Sequence, residues 1–146
     1  MKDLILLLGT NIGDKKNNLE VALSKLINVF GKIKSNSHIY ETEPWGYTDE
    51  NTYYNLAVIF NTNLLPLEVL YACKGIEVYM GRRKKTKNKY ESRIIDIDII
   101  TYGDTIYNND LLHIPHLKVQ DRRFVLEPLC EIAPNTIHPV YKLSFQ

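Results

Sequence analysis

A chain of 146 residues, 45% apolar and 24% charged, has the size and composition of one globular domain, expected to cover 1–146. Its 18 basic and 17 acidic residues leave a net charge of +1, so overall charge calls for no nucleic-acid and no membrane partner. Cys73 and Cys130 form no paired motif, which argues against a disulfide framework or zinc ribbon and suits a reducing cytoplasm. The opening apolar run is too short for a signal segment, and no stretch approaches membrane-spanning length.

Residues 4–8 are a short apolar run ending at Gly9 and predict a buried strand. Gly9-Thr10-Asn11-Ile12-Gly13-Asp14 invites comparison with a phosphate loop. It lacks the Gly-Lys-Ser/Thr ending, and Asp14 puts an acid where phosphate would sit, so a turn with Asp14 as N-cap is predicted instead. Leu19, Ala22, Leu23, Leu26 and Ile27 recur at helical spacing up to Gly31. Residues 33–40 predict a second strand and 42–52, with Pro44 and Gly46, a loop. Residues 54–61 predict a third strand, setting Leu56, Val58 and Phe60 against Ala57 and Ile59. Pro66 opens a second helix that runs to about Met80 and ends at Gly81. After a polar loop at 82–89, residues 94–102 form a fourth strand that turns at Gly103-Asp104 into a short strand at 105–107. Residues 121–132 predict a third helix with Pro128 inside it. The core order of strand, helix, strand, strand, helix, strand predicts an α+β fold: a ferredoxin-like antiparallel sheet with a split βαβ core and helices on one face.

The fourth strand carries an anomaly. In Arg93-Ile94-Ile95-Asp96-Ile97-Asp98-Ile99-Ile100 two acids interrupt an apolar run. Alternate strand residues share a face, so Asp96 and Asp98 project together about 7 Å apart. Strand alternation alone would produce two solvent-facing acids. Against that, Ile95, Ile97 and Ile99 bury the opposite face, while Ile94 and Ile100 partly cover the acids' own face. Carboxylates held this close repel unless a cation lies between them, and hard oxygen ligands suit Mg²⁺ with substrate phosphates.

The segment from Gly81 to Lys89 holds six basic residues and no acid. It reads as a solvated charge run, a small nucleic-acid patch, or a phosphate clamp beside the acid strand. Tyr53 and Asn55 share a strand face. They suit an ordinary cross-strand aromatic, or a reader of a flat heterocycle in which the ring stacks and the amide bonds its edge. His113 and His116 lack a third nitrogen or sulfur ligand for zinc; His116, near Arg122 and Arg123, is placed to donate to phosphate. His38 and His138 read as structural.

These blocks resemble the 6-hydroxymethyl-7,8-dihydropterin pyrophosphokinase family of folate biosynthesis. The resemblance runs from Leu8–Asp14 through Tyr40-Glu41-Thr42-Glu43-Pro44, Tyr53-Tyr54-Asn55, the Arg93-to-Asp98 block and Pro115-His116 to Arg122–Pro134. It implies a ferredoxin-like fold and transfer of pyrophosphate from ATP to the pterin hydroxymethyl group, releasing AMP. It also implies two Mg²⁺ ions on Asp96 and Asp98, which with Arg82 and Arg93 would form the catalytic set. The pterin would stack between Tyr53 and Phe124, with Asn55 and Thr42 on its edge and Pro44 and Trp45 shaping the pocket. Arg82, Arg93, His116 and Arg122 would hold the phosphates, Glu77 would help form the nucleotide side, and backbone near Ile99 and His113 would hold adenine. A cytoplasmic monomer acting on small molecules is expected. The chain departs from the family pattern at Glu91-Ser92, where Gly-Pro is common, at Tyr90 for a Trp, at Lys84 and Lys89 for arginines, and at Trp45 for a smaller apolar residue. A second reading, from another class, makes the chain a ferredoxin-like binding domain that grips nucleic acid with residues 82–89; the acid pair opposes it, because carboxylates repel a phosphate backbone.

Overall fold

In the computed structural model of the chain the described residues are 1–42, 52–81, 94–117, 123–134, 136 and 144, with residues 123–125 described by backbone only. They form β1 (Lys2–Thr10), α1 (Lys15–Phe30), β2 (Ser35–Asn36), β3 (Tyr40–Thr42), β4 (Tyr53–Thr62), α2 (Pro66–Tyr79), β5 (Asp96–Tyr102), β6 (Tyr107–Asn108), β7 (His113–Ile114) and α3 (Arg123–Ile132). The main sheet has the order β2-β4-β1-β5, with β3 also on β4, and every pairing is antiparallel. The chain leaves β1, crosses by α1 and returns on the far side of β4. That is the split βαβ arrangement the sequence predicts.

Helix ends follow the predicted chemistry. Asp14 caps α1, its carboxylate accepting the Asn17 N–H at 3.1 Å. Gly31 (φ 89°) and Gly81 (φ 97°) end the two long helices in a backbone region closed to most side chains.

Both sheet faces are buried. Leu4, Leu6 and Leu8 pack with Leu56, Val58 and Phe60 against Leu19, Ala22 and Leu26 of α1 and Val69 and Cys73 of α2. Ile5 and Leu7 turn the other way, with Ala57, Ile59 and Ile100, under Leu129 of α3 and Ala133. So the helices do not all lie on one face. α1 and α2 cover one, and α3 covers the other, because its apolar residues have no other sheet surface to bury.

The predicted second strand is broken in two. Ser37, between β2 and β3, keeps a backbone bond from its N–H to Ala57 O (2.8 Å), while its hydroxyl accepts the Ala57 N–H (2.9 Å) and donates to His38 O (2.7 Å). A side-chain oxygen thus takes a ladder position, and the extended pattern stops and restarts at Tyr40. The short strand predicted at 105–107 is found at Tyr107–Asn108 and pairs with β7.

One carboxylate joins α3 to this edge. Glu131 accepts the His38 N–H (2.9 Å) and the Tyr40 hydroxyl (2.7 Å) and lies 3.1 Å from His38 Nδ1. Burial pushes its pKa up, but the hydrogen bonds from Tyr40 and His38 outweigh burial and hold it below the ordinary glutamate value.

Phe60, fully buried and 5.5 Å from the Phe30 ring, should cost about 3–5 kcal/mol when changed to alanine, as measured by urea unfolding. Because the folded pKa of Glu131 is lowered, its contribution is present above its unfolded pKa and lost as pH falls through the folded one. Glu131→Gln should therefore be less stable than the parent at neutral pH, with the difference shrinking in acid; melting curves across pH check this.

Candidate active site

The register of β1 against both neighbours builds the site. Gly9 pairs with Asn55 on β4 and with Asp96 on β5; one step back on the same face, Leu7 pairs with Ala57 and with Asp98. Alternation places Asn55, Gly9, Asp96 and Asp98 on the α3 face of the sheet, beyond the end of the Ile5–Leu7 cluster. Strands lie about 4.8 Å apart, so Asn55 and Asp96 stand roughly 10 Å apart with Gly9 between them. Asp96 is half-buried and Asp98 exposed. The α3-face neighbour of the pair, Ile100, is buried, as the sequence pattern required.

Asn55 is 4% exposed and donates from Nδ2 to the Thr42 hydroxyl at 3.1 Å. Thr42 also pairs with Tyr53 across the β3–β4 ladder. Thr42, Tyr53 and Asn55 therefore form one cluster, as the sequence predicts, and it shares a sheet face with the acids.

The acid strand is held from beneath and behind. Among the described residues β5 is an edge strand, and the Ile97 N–H, between the two aspartates, has no strand partner on its outer side. Glu77 of α2, 3% exposed, accepts that N–H on Oε2 at 2.9 Å. This carboxylate lies under the strand. Its charge is felt nearby: burial foremost, then the Glu77 and Asp98 carboxylates, push the Cys73 thiol up to about 12. Upstream, the Thr10 hydroxyl donates to Ile94 O and accepts from Asn18 Nδ2 at 3.1 Å, tying the entry of β5 to the end of β1.

A cleft of about 290 Å³ opens along the outer edge of β5. Asp98, Ile99, His113 and His116, all predicted site residues, line it together. The His116 N–H donates to Ile100 O (2.9 Å), and the His113 ring contacts Asn108 Oδ1 at 3.0 Å. Leu70 and Lys74 of α2 complete the opposite wall. Asp98 thus faces both the cleft and the cluster on the α3 face. Arg82, Arg93, Arg122, Pro44 and Trp45, and the side chain of Phe124, lie outside the described residues.

Sequence reasoning missed three residues here. Lys74 is one charge among many on a helix surface, and nothing in its spacing marks it. Asn11 is buried, and neither atom of its amide has a hydrogen-bond partner among the described residues, which is rare for a buried polar group. Gly9 lies inside β1 rather than at a turn, and a glycine within a strand is itself a signal of close approach.

The donor set suits a hard cation. Among the described residues no three metal-ligating side chains gather, so two carboxylates would leave most of the coordination shell to water and phosphate oxygens.

A family model described as 7,8-dihydro-6-hydroxymethylpterin-pyrophosphokinase (HPPK) matches residues 5–134. The chain is 37% identical over 142 residues to the 2-amino-4-hydroxy-6-hydroxymethyldihydropteridine pyrophosphokinase of Aquifex aeolicus, covering 97% of this chain and 87% of that one. It is 41% identical over 132 residues to the folic acid synthesis protein fol1 of Schizosaccharomyces pombe, covering 90% of this chain but only 18% of that protein. In fold it is similar to the crystal structure of Plasmodium falciparum HPPK-DHPS with pteroate, at a TM-score of 0.77 and 20% identity, over 99% of this chain and 41% of that one.

Glu77→Ala should leave the Ile97 N–H buried and unbonded and cost about 1–3 kcal/mol of stability by urea unfolding.

Proposed function

The chain belongs to the 7,8-dihydro-6-hydroxymethylpterin-pyrophosphokinase family, and on that premise we propose that it transfers pyrophosphate from ATP to 6-hydroxymethyl-7,8-dihydropterin. AMP is released, Mg²⁺ is required, and the product serves folate synthesis. The observation that carries this reading is the single row Asn55–Gly9–Asp96, which sets an amide able to read a heterocycle beside an acid pair able to hold metal.

In this reading Thr42 and Asn55 bond the pterin edge, Tyr53 and Phe124 stack on its faces, and Pro44 and Trp45 shape the pocket. Adenine occupies the β5 cleft against the backbone of Ile99 and His113, and His116, Arg82, Arg93 and Arg122 take the phosphates. Asp96 and Asp98 would hold two Mg²⁺ ions, which when bound would supply positive charge for the triphosphate. Glu77 keeps β5 in place beneath the pair. The pterin hydroxyl oxygen forms a bond to the β-phosphorus, the bond from that phosphorus to the α,β-bridging oxygen breaks, and AMP leaves with the electron pair. The hydroxyl proton passes to water. The arginines and His116 offset the negative charge that develops on the transferred group and on AMP. The two free cysteines suit the reducing cytoplasm, and no helix among the described residues is long and apolar enough to cross a membrane.

Incubation with ATP, Mg²⁺ and the pterin should yield AMP and a pterin pyrophosphate; ADP as the nucleotide product, or no product, overturns the reading. Asp96→Ala and Asp98→Ala should each lower turnover by at least about 100-fold while leaving the far-ultraviolet spectrum and melting transition in place.

A further inference from the structure

β3 carries Thr42 on little structure of its own. It has three residues, and among the described residues it pairs with β4 alone, Tyr40 opposite Asn55 and Thr42 opposite Tyr53. His38 and Ile39, which lead into it, belong to no strand. A two-stranded pairing this short is marginal by itself. Glu41 adds a bond from the Thr52 hydroxyl at 2.7 Å, but that joins β3 only to the approach of its own partner. The remaining support crosses to a third element. Glu131 of α3 accepts the Tyr40 hydroxyl on Oε1 at 2.7 Å and the His38 N–H on Oε2 at 2.9 Å. One bond holds a side chain of the strand, the other the main chain just before it. The carboxylate has a firm base: Leu129 and Ala133, two residues to either side of Glu131, are buried in the cluster with Ile5, Ala57 and Ile59. Hydrogen bonds to a charged acceptor are among the stronger kind.

We propose that Glu131 is a positioning residue for the acceptor: through Tyr40 and the His38 backbone it seats β3, and so holds the Thr42 hydroxyl against the Asn55 amide. This rests on the function proposed above and deepens it. Thr42 accepts from Asn55 Nδ2 at 3.1 Å. A β3 released from α3 loosens that bond and lets the amide turn, exchanging its donor and acceptor ends toward the heterocycle. The acid pair stands on β5, at the opposite edge of the sheet, and the cleft lies beyond it. Loss of the tie therefore weakens acceptor binding and spares the nucleotide. A residue serving stability alone would lower the amount of folded enzyme and change neither KM.

Steady-state kinetics on the full chain with Tyr40→Phe, Glu131→Ala and the double variant test this. The KM for the pterin should rise about fivefold or more in Tyr40→Phe, which cuts one bond, and further in Glu131→Ala, which cuts both. The KM for ATP and kcat should stay within about twofold of the parent. Both changes break one tie, so the double variant should match Glu131→Ala rather than multiply the single effects. An unchanged pterin KM, an equal rise in both KM values, a fall in kcat alone, or effects that multiply overturn the proposal. Should Glu131→Ala not fold, Tyr40→Phe, which keeps the ring and loses one hydroxyl, decides by its pterin KM. A parent protein that makes no pterin product removes the proposed function and this inference together, whereas an active parent with an indifferent Tyr40→Phe removes this inference alone.

Discussion

The register of β1 is the constraint on which the site depends. A slip of one residue against β4 or β5 would exchange the leucines that pack on α1 and α2 with Ile5 and Leu7, which pack under α3. Because both faces are buried, both sets of contacts would be lost, so the register is held from two sides. Asn55, Gly9 and Asp96 stand in one row at the end of that strand and inherit its precision. A buried amide and a carboxylate, far apart in sequence, are thereby fixed two strands apart by ordinary packing.

The pairing of β1 with β5 shifts between Ile5 and Leu6. Strict alternation from Asp96 and Asp98 would carry Tyr102 to the acids' face. The irregularity changes the phase, so Tyr102 joins Ile97 and Ile99 in the α1–α2 core and its hydroxyl bonds Thr62 O and Leu64 O. The strand can then present acids on one face at its first end and bury an aromatic on the other face at its second. Its place at the sheet edge matters equally. A central strand would have no outer N–H for Glu77 and no open flank for the cleft that Asp98 and His116 share.

Most of the fold was legible because periodicity and caps agreed. Asp14, Pro66, Gly31 and Gly81 act where residue type alone placed them. The segment at 33–40 was less legible: a serine hydroxyl replacing a backbone partner at Ser37 leaves no trace in an apolar pattern. The acid pair stood out because charge violated an otherwise apolar period, and Thr42, Tyr53 and Asn55 emerged from family resemblance joined to strand alternation. Gly9 did not stand out, since the apolar run stops at Leu8 while pairing continues through Thr10, and only the three-strand register reveals what the missing side chain leaves open. Glu77 shows the opposite failing. Its bond to Ile97, beneath the strand, depends on tertiary placement that no spacing encodes.

The two walls proposed for the acceptor come from distant parts of the chain, and the Glu131 carboxylate helps join them. Thr42 ends β3, which Tyr40 begins; Phe124 belongs to α3, which carries Glu131 near its other end. Glu131 accepts from Tyr40 and from His38, so β3 and α3 are held together at the far side of the pocket from the acids. Hydrogen bonds that favour the charged carboxylate over the neutral one make this tie firm above the glutamate range and weaker in acid.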